Sequence, residues 1–139
     1  MDFKNINIGR LIQKRVDDLG ISSTRVCAFM KCNEKDIDTI YGSNTIDAES
    51  LLRWSKLLEY DFFRIYSQHL ILYAPSSLKT EVTKNSSLPQ FRKNIYTKEL
   101  IDFILELINT GQKTKNQVIH EYRIPKTTLY KWISKNNVE

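Results

Sequence analysis

Four residues near the C-terminus have the types and the spacing to meet nucleic acid: Lys126, Thr127, Tyr130 and Lys131. Read as a helix, the segment Lys126 to Ser134 sets Leu129, Trp132 and Ile133 at i, i+3 and i+4 on a core side, which leaves these four outside. Two cations, a hydroxyl and an aromatic ring on an exposed helix suit the major groove, where Lys meets phosphate or guanine and Thr meets a base edge or a thymine methyl. Lys115, Arg123 and Lys135 flank that set and are candidates for contact with the DNA backbone.

Other chemistries find less support. The acids fall at capping or solvent positions of helical segments, and no strand-rich stretch leaves room for a metal-binding catalytic core, so the chain is expected not to be an enzyme. Cys27 and Cys32 have no four-ligand Cys/His set near them and read as two small apolar residues in a reducing compartment. His69 and His120 each stand alone, which favours a satisfied or exposed imidazole over a ligand or a base. No cofactor and no metal are expected. With neither a signal peptide nor a long apolar span, no membrane partner is expected, and the location implied is cytoplasmic and nucleoid-associated.

The elements that must hold the basic face are short helices. Thr114 with Gln117 has the spacing of a capping box that opens a helix. Ile124-Pro125 must end it, because proline disfavours α backbone before itself but suits the first turn of a new helix. Upstream, Thr97 caps a helix whose stripe is Leu100, Ile101, Ile104, Leu105 and Ile108, and Gly111 stops it. Nearer the N-terminus, Ile8, Leu11, Ile12, Val16 and Leu19 space a first helix closed by Gly20. Ser22 or Ser23 caps a second with Val26, Cys27 and Met30 inside, and Asn33 caps a third with Ile37, Ile40 and Tyr41 inside. Asp47 or Ala48 opens a fourth with Leu51, Leu52, Trp54 and Leu58, and Asp61 caps a fifth running from Phe62 toward Tyr73. Only 4 Gly and 3 Pro occur in 139 residues, which suits an all-α chain, since hairpins need more turn residues.

Gly9-Arg10-Leu11-Ile12, Leu19-Gly20-Ile21-Ser22, Ile37 to Ser43 and Leu51-Leu52 to Leu58 resemble the five-helix Cro/repressor type of helix-turn-helix domain, over Asn5 to about Tyr66. Ser23 stands where that family commonly has Gln, and the outward positions of its reader helix correspond to Glu34, Lys35, Asp38 and Thr39. Ser23 and these four are the candidate reader of a first domain. The acids bear on that role, because a carboxylate about 5 Å from a phosphate costs roughly 1 kcal/mol even in a water-like dielectric. Protein contact therefore stands beside DNA reading as a use for this domain. The fifth helix carries more apolar surface than one small core covers. In repressors that the chain resembles, subunits pair through this helix, which makes Phe62, Phe63, Tyr66, Leu70 and Tyr73 candidates for a homodimer interface, with docking onto the second domain as the alternative.

The segment from Tyr96 to Asn136, carried by Ile124-Pro125-Lys126-Thr127-Thr128-Leu129-Tyr130-Lys131-Trp132-Ile133, is similar to the homeodomain-like helix-turn-helix of insertion-sequence transposases and site-specific recombinases. Pro125 replaces the polar cap usual there. The resemblance implies that Arg92 and Lys93 form an arm for the minor groove; a solvated basic linker is the competing reading. The tandem as a whole resembles short bacterial transposase-like DNA-binding regulators.

Charge separates the two parts. Residues 1–83 hold 11 Lys+Arg against 11 Asp+Glu, whereas 84–139 hold 10 against 5, so the whole excess of +5 lies in the C-terminal part. The expectation is an all-α chain: a Cro/repressor-like domain over 1–73, a linker with a basic arm over 74–95, and a homeodomain-like domain over 96–139. Its partner is double-stranded DNA, met by a regulator or the binding component of a mobile element. The alternative is a non-catalytic adaptor that uses apolar helix surfaces for a protein partner.

Overall fold

A computed structural model describes residues 1–74, 87–89 and 94–136, and among these the chain forms eight α-helices and no strand. Contacts divide it into two compact units, Asp2–Tyr66 and Ser67–Glu139 with Met1, so the division falls inside the fifth helix. None of the described helices is long and apolar enough to cross a membrane. Arg92 and Lys93, the residues expected to form an arm, lie outside the described residues.

In the first unit α1 (Ile8–Leu19) starts where the Asn7 side chain accepts from the Arg10 N–H, and stops where Gly20 turns left-handed at φ 65°. Ser22, not Ser23, caps α2 (Ser23–Met30). Asn33 and Asp36 form a reciprocal capping box on α3 (Glu34–Tyr41), and Asp47 caps α4 (Ala48–Leu58). α1 packs on α3 and α4, and α2 packs on the same two helices. Ile8, Ile12, Val26, Ile37, Trp54 and Leu58 fill the interior between them. Leu19 and Leu52, although they match the apolar spacing, are exposed at the edge of their helices. A tie closes the far end: the Arg15 Nε–H donates to the Leu58 carbonyl at 3.1 Å, and its guanidinium lies 5.4 Å from the Tyr60 ring centroid.

Two helices of this unit end on a left-handed residue that is not glycine, Lys31 (φ 54°) after α2 and Glu59 (φ 49°) after α4. Such backbone strains an L side chain, and a carboxylate also opposes the negative end of a helix. Glu59→Gly is expected to stabilise the first unit by about 0.5–1 kcal/mol, after allowing for the looser unfolded chain. Chemical denaturation followed by Trp54 fluorescence in a Trp132→Phe background measures it.

α5 (Phe63–Tyr73) has its first N–H held by the Asp61 carboxylate at 3.1 Å. Within the second unit, the last turns of this helix and α6 (Lys98–Asn109), α7 (Lys115–Tyr122) and α8 (Lys126–Asn136) are described; α8 packs on both α6 and α7. Gln68 is fully buried. Its amide N–H donates to the Ile95 carbonyl at 2.7 Å, and its carbonyl accepts from the Thr97 N–H at 3.0 Å. Thr97 in turn caps α6 by accepting from the Leu100 N–H. One amide thus fixes the segment from which α6 starts. Gln68→Ala strands two backbone groups that have little access to water, and a loss of about 2 kcal/mol in second-unit stability is expected. Trp132 fluorescence in a Trp54→Phe background reads that loss.

Candidate nucleic-acid interface

The basic face begins with how α8 is anchored. Leu129 is fully buried, while Trp132 and Ile133 are half-buried at the edge of the core. The Trp132 ring meets Tyr96 edge-on, with centroids 5.0 Å apart. Ahead of α8, Arg123 takes left-handed backbone (φ 53°) and Ile124 is buried, so the connection from α7 is tight. The Pro125 carbonyl accepts from the Leu129 N–H at 3.0 Å and so opens the helix. Proline brings no side-chain acceptor, so this cap position supplies no side-chain bond to the first N–H groups of α8.

Lys126, Thr127, Tyr130 and Lys131 are all exposed. Two cations converge on one ring of this face: the Lys115 ammonium, from α7, lies 5.4 Å from the Tyr130 centroid, and the Lys126 ammonium lies 5.7 Å from it. The structure therefore brings together a residue expected at the DNA backbone and two expected at base edges. Each cation gains about 0.5–1 kcal/mol from the ring at an exposed site, enough to bias its rotamers while leaving the charge toward solvent. Lys131 and Lys135 are exposed and have no ion-pair partner among the described residues, and Arg123 is exposed beside the turn.

α7 starts with its capping box complete: the Thr114 side chain accepts from the Gln117 N–H and the Gln117 side chain accepts from the Thr114 N–H. Lys113, just before it, has a carboxylate partner. It pairs with Glu121, which raises its pKa, and it lies 5.5 Å from the Tyr122 ring centroid. Sequence reasoning did not find this pair, whose members stand eight residues apart across the start of a helix.

The candidate reader of the first unit has a different character. Ser23 Oγ donates to Glu34 Oε1 at 3.1 Å, joining the first residue of α2 to the first of α3. Lys35, Asp38 and Thr39 are exposed on α3, and Thr39 Oγ1 donates back to the Lys35 carbonyl. Burial, followed by the charges of Asp17 and Asp38, pushes the Tyr41 phenol pKa up. Two nearby carboxylates disfavour the charged form of this phenol.

Of the five candidates for pairing of subunits, Phe63, Tyr66, Leu70 and Tyr73 fall at i, i+3, i+7 and i+10 on one face of α5, and Phe62 precedes the helix. Phe62 is 1% exposed, and a side chain already enclosed adds no area to an interface; Phe63 and Tyr66 are half-buried. Leu70, at 62%, and Tyr73, at 38%, remain open to solvent. No group of three or more His, Cys, Asp or Glu side chains among the described residues is arranged to hold a metal ion. No protein-family model, curated protein or solved structure matches the chain.

Proposed function

We propose that this is a non-catalytic, double-stranded DNA-binding protein, a transcriptional regulator or the DNA-binding component of a mobile element, which lays α8 in the major groove. One observation carries the reading: Lys115 and Lys126, from consecutive helices, converge on the exposed Tyr130 ring beside Thr127 and Lys131. In this reading Lys126, Thr127, Tyr130 and Lys131 address base edges and nearby phosphates, and Lys115, Arg123 and Lys135 address the backbone. The chain then carries two helix-turn-helix units, five helices of Cro/repressor type and three of homeodomain type. The first, with Glu34 and Asp38 outward, contributes less to phosphate attraction.

A protein-binding role has its own support in Leu70, Leu88 and Ile95, large apolar side chains more than half exposed. Homodimerisation through the open residues Leu70 and Tyr73 is compatible with either role. Selection of bound sequences from a random duplex pool by the whole chain separates the two. DNA reading yields an enriched motif of a few base pairs; a pool that returns no motif rejects it.

A further inference from the structure

The two cysteines flank the end of α2. Lys31, in left-handed backbone, and Cys32 both direct their N–H groups to the Cys27 carbonyl, the latter at 3.2 Å. This fold-back makes neighbours of residues five apart, and they are the two positions at which such helix endings normally place a side-chain contact. A disulfide spans Cα atoms about 4.4–6.8 Å apart, a separation that a chain turned back on its own hydrogen bond supplies. Both cysteines are free and half-buried. Nothing in the DNA-binding reading uses them.

We propose that Cys27 and Cys32 are a redox-sensitive pair that closes to an intramolecular disulfide across the end of α2, with a small disulfide such as glutathione disulfide as oxidant. The Cys27 thiolate attacks one sulfur of glutathione disulfide, and the S–S bond breaks to release a glutathione thiolate. The Cys32 thiolate then attacks the Cys27 sulfur of the mixed disulfide and releases the second glutathione. The pair loses two electrons and two protons, and glutathione disulfide is reduced to two thiols. Burial, then Cys27, then Asp36 push the Cys32 thiol pKa up, which suits it to the second, intramolecular attack, where proximity compensates for a small thiolate fraction. Closure ties the end of α2 to the residue before Asn33, the cap of α3, and so fixes where α3 starts relative to α2.

Equilibration of the whole protein in glutathione buffers, native and in guanidinium chloride, followed by acid quench, thiol blocking and trypsin, tests this. The expected product joins the peptides Val26–Lys31 and Cys32–Lys35, is absent from Cys27→Ser and Cys32→Ser, and has an equilibrium constant at least about tenfold larger in the native protein than in the denatured one. A native constant equal to or below the denatured one overturns the proposal. So does native oxidation that yields only glutathione adducts or disulfide-linked dimers.

Discussion

Gly9→Ala is expected to unfold the first unit at a temperature at least about 12 °C lower, a loss of about 3 kcal/mol or more at the upper end of overpacking effects. The sign is decisive, because alanine normally gains over glycine within a helix, by up to about 1 kcal/mol in its interior and less in the first turn where Gly9 stands. Here an added Cβ would stand 2.3 Å from the Ile40 carbonyl oxygen, 2.5 Å from that of Ser43 and 2.6 Å from that of Tyr41. All three are backbone atoms at the end of α3, which cannot rotate away as a side chain would. Relief requires α1 to withdraw, and withdrawal breaks the bond from the Gly9 N–H to the Ser43 carbonyl at 3.0 Å. A unit of this size has only about 3–10 kcal/mol in hand, so the substitution removes much of its margin. Trp54, enclosed between the helices, reports the melt once Trp132 is replaced by Phe. A melting temperature unchanged or raised would show that α1 does not approach α3 this closely.

Lys126→Glu combined with Lys131→Glu is expected to weaken binding to duplex DNA by about 100-fold or more at moderate salt, since each change removes a phosphate contact and adds a repulsion. Folding should be little affected: both side chains are exposed, neither is ion-paired among the described residues, and surface changes of this kind stay within about 0.5 kcal/mol. The matched control is Lys14→Glu with Lys56→Glu, which changes net charge equally at exposed positions of α1 and α4. An α8 interface predicts that the control loses several-fold at most. Equal losses would reduce the binding to undirected attraction toward a basic chain.

The helices were legible in the sequence because their ends are written locally. Thr114 with Gln117 announces its hydrogen bonds three residues apart and that capping box forms, while Asn33 announces a cap to which Asp36 adds the reciprocal bond. Gly20 announces left-handed backbone, but Lys31, Glu59 and Arg123 adopt it without glycine, so those endings carried no compositional flag. The exposed set on α8 also followed from period, with Leu129 taking the buried side. What period does not carry is the pairing of distant residues. Lys115 meets Tyr130 from another helix, and Gln68 reaches Thr97 across 29 positions, contacts set by how helices stack. The same limit explains Phe62: its apolar character predicted burial of some kind, but whether within the chain or against a second subunit depends on neighbours that the local pattern does not name. Likewise, Ser23 was open to two uses until Ser22 took the cap, which freed Ser23 to bond Glu34.

The central claim is that phosphate attraction by the α8 face drives association with duplex DNA, and a salt titration tests it most directly. Binding of the whole protein to a labelled duplex, measured by fluorescence anisotropy over a range of monovalent salt, gives the slope of log K against log salt. Four to six phosphate contacts predict a slope of about −4 to −5, falling by about 2 in magnitude when Lys126 and Lys131 are both replaced by Glu. A slope near zero, or one that those two substitutions leave unchanged, would contradict the assignment of α8 as the DNA-binding surface.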